Sequence, residues 1–453
     1  MINSKQPLYL KIYERYKAMI ISGRLVTGTK LPSIRRACNE LGVSKTTIEA
    51  AYLQLEAEGY IKSKPQSGFF VADIKPFNYE RKKMPALTKK TPNINIEFDF
   101  VSATVDKEGF DFNLWQRYIK SALRDNNRLL SYGEPQGEAD LRAALADYVS
   151  SRRGVICSPD QIVVGAGIQN LLQTLCSIDE KHSTVAFAGI PFSRGSAVFS
   201  SFNRKITVVD YSYLNISNYN LKDVDYVYTN PSHTNPWGDI LPISQRLELI
   251  KLAQKKNFII IEDDYNSEFQ YFNRPVPSLQ GLDSSDNTLY IGTFSKLLLP
   301  SLRISFMVLP AKLLALYQKN GLIFNQTASK TEQIALCRYL RDGNLARQIK
   351  KARNLYVAKC TQLCEKINEY GEDNIRAIMG TSGILFRVEV NSRLSSEELT
   401  SHAMCKGIAL RALEKTCSKE KPCLLLSCSS IPSDRIDEAA KRIVQILNEK
   451  TDK

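Results

Sequence analysis

Two short segments of the chain carry side chains that could bind a cofactor or take part in covalent chemistry. Lys296 ends the segment 292–296, GTFSK, and a lysine after small hydroxyl residues at a strand end suits a phosphate binder or a Schiff-base amine. The acidic segment 262–265, EDDY, directly follows an apolar run. Carboxylates at the end of a buried strand are costly without partners, so this segment predicts a cationic partner. Taken alone, Lys296 could equally be a surface lysine, and Asp264 could simply cap a helix.

Two further segments suit an anion site or a ligand-lining loop. Segment 165–169, GAGIQ, lies between a strand-like run and a helical pattern, and glycines there let backbone amides approach a phosphate. Segment 230–238, NPSHTNPWG, is a loop rich in asparagine and proline. A close strand-to-helix turn would use the same glycines, so neither segment identifies a function alone.

Short apolar runs that alternate with amphipathic helical patterns position these four segments. The pattern predicts a mostly parallel sheet covered by helices, in which ligands bind beyond the carboxyl ends of the strands. The runs lie at 162–164, 184–187, 206–209, 225–228, 258–261, 288–291 and 304–308.

Length and composition exclude several classes of protein. The chain has 453 residues, of which 43% are hydrophobic and 24% charged, as in an ordinary globular protein of two or three domains. No apolar run approaches the about 18 to 20 residues that cross a bilayer, and the first residues do not resemble a signal peptide. We therefore expect a cytoplasmic location. With ten scattered cysteines and three histidines, no metal site is predicted.

The N-terminal residues 1–73 predict a small helical domain that ends in a β-hairpin. Apolar residues recur at helical spacing between 9 and 20, a second helix spans 34–41, and a third begins after Ser44, a good N-cap. A turn-rich stretch at 65–68 then separates two strand-like runs. This order is that of a winged helix-turn-helix, whose third helix presents polar side chains to the major groove.

The charge distribution agrees with a nucleic-acid surface at this end of the chain. Of a net charge of +14, residues 1–73 contribute eleven basic and six acidic side chains, and residues 74–96 contribute six basic and one acidic. Residues 74–96 predict a flexible basic linker, which either attracts DNA non-specifically or only keeps the chain soluble. A basic surface without a nucleic-acid partner would show the same charge.

Segment 31–61, LPSIRRACNELGVSKTTIEAAYLQLEAEGYI, resembles the DNA-binding domain of GntR-type regulators. By that resemblance a double-stranded DNA operator is the partner of this domain, with Arg36 available to cap or pair within the domain instead. The residues that the resemblance and the hairpin charge place on DNA are Ser33, Arg35, Ser44, Lys45, Thr46, Thr47, Lys62, Lys64 and Gly68.

Residues 97–445 resemble the fold-type I enzymes that use pyridoxal 5'-phosphate (PLP), the aminotransferase class. The resemblance rests on the four segments in this order together with YGEPQG at 132–137. It implies that Lys296 carries PLP as a Schiff base, that Asp263 pairs with the pyridine nitrogen, and that Asn235 and Tyr265 bond the phenolic oxygen. It assigns the phosphate and the ring stacking to Gly167, Ile168, Thr293, Ser295, Arg303 and Phe192.

A GntR-type domain ahead of an aminotransferase-like domain resembles the MocR/GabR type of transcriptional regulator. This implies a multidomain chain with a winged helix-turn-helix at 1–73, a linker at 74–96 and an α/β effector domain at 97–453. It also implies a domain-swapped homodimer whose DNA affinity responds to an amine, an amino acid or PLP itself.

The sequence departs from the aminotransferase pattern where substrate carboxylate should bind. Leu425 stands where aminotransferases carry an arginine, so no bidentate guanidinium is available there. Arg411 or Arg194 could bind an effector carboxylate instead, although Arg411 could also be a surface residue. Three hypotheses remain: a PLP-dependent sensor, a working aminotransferase that regulates its own gene, and a DNA-binding regulator whose large domain is only a dimerisation scaffold. Whether the chain is an enzyme stays open, and loss of the arginine weighs against turnover.

Overall fold

The computed structural model of the chain divides into two compact units, residues 1–91 and 92–453. It describes residues 7–74, 95–102, 105–179, 183–189, 192–209, 221, 223–235, 238–265, 267–270, 276–380, 384–413 and 421–450. Most of the predicted linker at 74–96 lies outside these ranges, so its character stays a prediction.

The first unit is a three-helix domain with a β-hairpin. Its elements are α1 Leu8–Ile21, α2 Ile34–Leu41, α3 Lys45–Ala57, β1 Ile61–Lys64 and β2 Gly68–Val71. The apolar faces of all three helices and of the hairpin share one core, which contains Ile12, Ala37, Ile48 and Tyr52. The second helix has the bounds that the sequence predicts.

Two serine caps and one glycine fix both ends of α2 and the start of α3. The side chains of Ser33 and Ser44 each accept a hydrogen bond from a backbone amide in the first turn of the following helix, at 3.3 Å. Gly42 ends α2 with a φ of 63°, a left-handed conformation that glycine adopts without strain. The chain can therefore turn within three residues and begin α3, as a helix-turn-helix requires.

The second unit contains twelve helices and thirteen strands within its described ranges. The helices are α4 Phe112–Leu123, α5 Asn126–Leu129, α6 Ala139–Arg153, α7 Ile168–Ile178, α8 Ser193–Ser201, α9 Ile243–Lys256, α10 Leu279–Leu282, α11 Ala311–Lys319, α12 Lys330–Arg341, α13 Asn344–Gly371, α14 Ser396–Cys405 and α15 Ile436–Asn448. The strands are β3 Phe98–Asp99, β4 Ile162–Gly165, β5 Thr184–Ala188, β6 Lys205–Val209, β7 Tyr226–Thr229, β8 Ile259–Asp264, β9 Thr288–Thr293, β10 Ser305–Val308, β11 Ile375–Met379, β12 Leu385–Val390, β13 Ile408–Ala409, β14 Arg411–Ala412 and β15 Cys423–Ser427.

Seven strands form the central sheet in the order β4-β10-β9-β8-β7-β5-β6. Strands β5 to β9 pair in parallel, and β10 runs antiparallel to both of its neighbours. The sequence predicts a mostly parallel sheet, and β10 is the exception. Because β7, β8 and β9 are parallel neighbours, their carboxyl ends and the loops that follow them meet at one edge.

A second sheet of four antiparallel strands, in the order β11-β12-β15-β14, forms the C-terminal part of the unit. One face of this sheet packs into the largest apolar core together with α13 and α15, through Phe386, Val388, Leu424 and Leu426. The sequence analysis does not predict this sheet. Helices of the length and apolar composition needed to cross a bilayer do not occur among the described residues.

Candidate functional site

The carboxyl end of β8 places three consecutive carboxylates inside the second unit. Glu262, Asp263 and Asp264 are all buried, and each has a different set of partners. The Glu262 carboxylate accepts hydrogen bonds from the backbone amides of Leu279 and Gln280 at 2.8 and 3.0 Å, so it caps the start of α10. Burial raises the pKa of Glu262 to about 7 despite these bonds.

Asp264 has the cationic partner that the sequence predicts for this segment. Arg153, the last residue of α6, donates from Nε to Asp264 Oδ2 at 2.7 Å, and each side chain is only 1% exposed. The hydroxyl of Tyr290 donates to the same oxygen at 2.7 Å, and Arg153 Nη2 donates to Ser232 Oγ at 2.7 Å. Arg153 is not among the predicted residues, because 111 residues separate it from Asp264 in the sequence.

Asp263 keeps one carboxylate oxygen without a partner in the described part of the chain. The hydroxyl of Tyr228 donates to Asp263 Oδ2 at 2.5 Å, while Oδ1 is buried and makes no hydrogen bond. Burial raises the pKa of Asp263 to about 7, opposed by the Tyr228 hydrogen bond. A buried carboxylate in this state is stabilised by a cationic N–H donor. The protonated pyridine nitrogen of PLP is such a donor, so the site fits the cofactor that the resemblance implies.

The start of α7 and Arg303 lie next to each other and carry the groups of the predicted phosphate site. Gly167 precedes the helix with a φ of 103°, and Arg303 Nη2 donates to Ala166 O at 3.1 Å. A Cβ on Gly167 would lie 2.3 Å from Arg303 Nη2 and would displace the guanidinium from its present position, and the positive φ itself favours glycine. The guanidinium and the backbone amides of the first turn, including Ile168, are the groups that bind a phosphate at a helix N-terminus.

The pairing register of β4, β10 and β9 brings the hydroxyl side chains of Thr293, Ser295 and Ser305 close to the start of α7. Ser305 at the start of β10 lies opposite Gly165 of β4 and opposite Thr293 of β9. Ser305 Oγ donates to Thr293 Oγ1 at 2.8 Å, and Thr293 Oγ1 lies 3.3 Å from Ser295 Oγ. The predicted phosphate ligands from 165–168, 293–295 and 303 therefore come from three adjacent strands, although the cofactor role of each stays a prediction.

Lys296 lies three residues after the end of β9 and is half-buried. Burial and, to a smaller extent, the positive charge of Arg411 together lower the pKa of Lys296 to about 8. A lysine with this pKa is partly neutral near physiological pH, and the neutral amine is the form that attacks an aldehyde.

Two pairs of aromatic rings involve residues next to the carboxylates of β8. The ring of Phe192 stacks near that of Tyr228, with centroids 6.4 Å apart and planes at 25°. The ring of Tyr265 contacts His233 edge-on at 5.6 Å. Tyr228 and His233 are not among the residues predicted from the sequence. An aromatic residue near the end of a predicted strand was the only available signal for Tyr228.

The side chain of Asn235 is used within its own loop. Its carbonyl oxygen accepts hydrogen bonds from the backbone amides of Gly238 and Asp239 at 2.8 and 3.0 Å. Its amide nitrogen donates to the Asp239 carboxylate. The predicted contact of Asn235 with the phenolic oxygen of the cofactor therefore stays a prediction, and it would require the amide to leave Asp239 or the loop to rearrange.

The two arginines predicted for the effector occupy different environments. Arg194 is exposed on α8. Arg411 lies on β14 directly opposite Leu425 of β15, the position at which aminotransferases carry their arginine by resemblance. Arg411 is exposed and makes no hydrogen bond or ion pair within the described ranges. The guanidinium that Leu425 lacks is thus present on the neighbouring strand.

The predicted DNA-binding residues are gathered on α2, α3 and the hairpin of the first unit. Arg35 is exposed, whereas Arg36 pairs with Glu40 at 2.6 Å. Lys45 is exposed and lies 3.4 Å from Glu49. The Ser44 hydroxyl lies 3.0 Å from that of Thr46 and 2.7 Å from that of Thr47, so these three form one polar cluster at the start of α3.

The hairpin carries the remaining predicted DNA contacts. Lys62 and Lys64 are exposed on β1, and Gly68 begins β2 with a φ of 95°. Contact of any of these residues with DNA stays a prediction.

Two protein-family models match the chain, one for each unit. Residues 8–71 match bacterial regulatory proteins of the gntR family, and residues 109–443 match aminotransferase class I and II.

Similar proteins include regulators over nearly the whole chain and aminotransferases over the second unit. The uncharacterized HTH-type transcriptional regulator YhdI of Bacillus subtilis is 37% identical over 92% of this chain and 91% of its own length. The probable rhizopine catabolism regulatory protein MocR of Rhizobium meliloti is 27% identical over 90% of this chain and 87% of its own.

Among solved structures, the kynurenine aminotransferase of Pyrococcus horikoshii, in complex with PMP, aligns with a TM-score of 0.68 and 23% identity over 82% of this chain and 97% of that chain. This likeness shows the fold-type I architecture of the second unit. The chain therefore belongs to the MocR type of GntR-family transcriptional regulators, in which a winged helix-turn-helix precedes a class I and II aminotransferase domain.

Proposed function

We propose that this regulator holds PLP covalently on Lys296 and that a small amine, an amino acid or PLP itself changes its affinity for an operator. The observation that carries the cofactor part is the Asp263 carboxylate, which is buried and has one oxygen without a partner in the described structure. Asp264 Oδ1 is likewise buried without a partner in the described structure, but Asp264 already has a cationic donor in Arg153. Asp263 has only the neutral hydroxyl of Tyr228 among the described residues.

The residues of the site have separable roles in this proposal. Asp263 holds a proton donor at the far end of the cofactor, with Tyr228 fixing the carboxylate by its hydrogen bond. Arg303 and the amides after Gly167 bind the phosphate, and Lys296 supplies the amine. When bound, PLP supplies an electrophilic carbon that reacts with primary amines.

Exposed apolar side chains on the second unit support a homodimer. Leu130 and Tyr132 are 88% and 94% exposed, next to the segment that resembles the early aminotransferase signature. Large apolar side chains that are exposed together mark a surface that a partner covers. The domain swap remains a proposal from the family resemblance.

Sensing is favoured over turnover by the position of the candidate carboxylate ligand. Leu425 removes the guanidinium from β15, and Arg411 presents one from the adjacent strand. A ligand bound through Arg411 would be displaced by about one strand spacing, near 4.8 Å. A displaced carboxylate would hold the amino group away from the geometry that proton transfer requires.

Replacing Lys296 tests covalent cofactor binding. We expect Lys296→Ala to lose the visible absorbance band of the bound cofactor and to show no PLP adduct by mass spectrometry after borohydride reduction. Lys296→Arg keeps the positive charge and serves as the matched control, and it should also lack the adduct. An adduct of wild-type mass in Lys296→Ala would show that another amine carries the cofactor.

The lowered pKa of Lys296 predicts how cofactor attachment depends on pH. Below the pKa the amine is protonated and does not attack the aldehyde. The rate of PLP attachment to the apoprotein should therefore rise with pH and reach half its maximum near pH 8, well below the value of about 10.4 for an ordinary lysine. Arg411→Ala removes a repelling positive charge and should move this midpoint to higher pH.

The control for this pH profile is Arg376→Ala, which removes an exposed arginine from β11 at the opposite edge of the same sheet. Stopped-flow absorbance at a series of pH values measures the midpoint. Equal midpoints for wild type, Arg411→Ala and Arg376→Ala would place Arg411 outside electrostatic range of Lys296.

Titration of the PLP-loaded protein with amino acids, including γ-amino acids, tests sensing against turnover. We expect one ligand to change the visible spectrum and the affinity for DNA without release of a keto acid, because no arginine stands on β15. Complete conversion to pyridoxamine phosphate with a keto product would instead support the working aminotransferase.

DNA recognition is tested by two neighbouring arginines of α2. Arg35→Ala should abolish binding to a duplex selected with the wild-type protein, because Arg35 is exposed and has no ion-pair partner among the described residues. Arg36→Ala is the matched control and should bind nearly normally, since Arg36 is paired with Glu40. Both variants should retain PLP absorbance. Normal binding by Arg35→Ala, measured by fluorescence anisotropy, would contradict the assignment of this helix to the groove.

A further inference from the structure

The β-hairpin of the first unit has one face in the core and one face toward solvent. Ile61 pairs with Val71, and both are buried. Phe69 contacts Tyr52 edge-on at 5.2 Å. The alternate residues therefore form the outer face, where Lys62 is paired with Phe70 and Lys64 with Gly68.

The loop between α1 and α2 adds a third strand-like edge to this hairpin. Lys30 forms an antiparallel bridge with Phe70, and the backbone of the loop bonds β2 on both sides of it. Leu31 N donates to Phe69 O and Val71 N donates to Thr29 O, each at 2.9 Å. Directly bridged residues share a face, so Lys62, Phe70 and Lys30 form one row across the outer surface.

The lysines of this face surround the ring of Phe70. The ammonium of Lys64 lies 4.8 Å from the ring centroid and that of Lys30 lies 5.9 Å from it, both within range of a cation–π interaction. All three lysines are exposed, and none forms an ion pair with an acidic side chain in the described structure. The face thus carries three positive charges, held partly in place by an aromatic ring.

We propose that Lys30, Lys62 and Lys64, grouped around Phe70, form a lysine ridge that binds the phosphate backbone of duplex DNA without reading its sequence. Lys30 is then a DNA-binding residue that lies outside both the helix-turn-helix and the hairpin. This inference rests on the proposed operator binding of the first unit.

The geometry of the ridge suits a polyphosphate strand. Two strand spacings separate the backbones of Lys30 and Lys62, roughly 10 Å, and duplex DNA carries a phosphate every ~3.4 Å of axis on each strand. The ridge therefore spans several phosphates. Lysine contacts phosphate as a flexible point charge rather than through a fixed fork, which suits a contact that carries no sequence information.

The test is the salt dependence of DNA binding by the full-length protein. Fluorescence anisotropy with a random-sequence duplex and with a selected duplex gives log Kd against log salt concentration. Each lost phosphate contact should reduce the magnitude of the slope by about 0.9. We expect this reduction for Lys30→Gln as for Lys62→Gln, with the same fold loss of affinity on both duplexes. Lys11→Gln, at an exposed lysine of α1, is the control and should keep the wild-type slope.

Each outcome separates the ridge from the wider proposal. A wild-type slope for Lys30→Gln, in a variant with an unchanged thermal unfolding midpoint, would overturn the assignment of Lys30 while operator binding stands. Failure of the wild-type protein to bind either duplex at low salt would overturn the proposed function itself. Phe70→Leu keeps an apolar side chain but removes the ring, and it should weaken binding to the random duplex. Unchanged affinity would contradict the positioning role of the ring.

Discussion

The second unit depends on placing three adjacent carboxylates at the end of a buried strand. An ionised carboxylate in an apolar interior is stable only with hydrogen-bond donors or a cation, so each one requires a segment that supplies them. Arg153 from α6 serves Asp264, the amides of α10 serve Glu262, and Tyr228 from β7 serves Asp263. These partners tie α6, α10 and β7 to β8, and among the described residues they leave Asp263 as the one carboxylate of the three with a single, neutral side-chain donor.

Local signals in the sequence predicted the elements and the loops of the site, because those signals act within a few residues. Serine caps, glycine stops and apolar periodicity gave the bounds of α2 and the start of α3, and apolar runs located the strands of the central sheet. The mostly parallel order then placed the loops after β8 and β9 at one edge. Arg153 and Tyr228 could not be predicted in this way, because they lie 111 and 35 residues from their carboxylates and neither carries a local motif.

The C-terminal sheet shows a different limit of sequence reasoning. Strand β14 has only two residues, which is too short for an alternating pattern to identify. Its pairing with β15 is what places Arg411 opposite Leu425. The sequence shows that position 425 lacks an arginine. It does not show that β14 places another arginine, Arg411, beside that position. Asn235 shows the opposite case. Its motif could be recognised in the sequence, but the hydrogen bonds that its side-chain oxygen accepts depend on the geometry of its loop.

If the second unit senses a ligand as proposed, these features favour one element as the part that responds. A ligand alters DNA affinity only through a difference in its binding free energy between two arrangements of the protein. The three carboxylates of β8 are hydrogen-bonded to α6, α10, β7 and β9, so the proposed binding of the cofactor alone has little to rearrange there. Strand β14, in contrast, is short, lies at the edge of its sheet and presents an exposed guanidinium that has no partner in the described structure. A ligand could bind Arg411 through an anionic group while its amine reacts at the proposed cofactor site. Such a ligand would pull β14 toward the carboxylates of β8. We therefore expect β14 to be the element through which sensing acts.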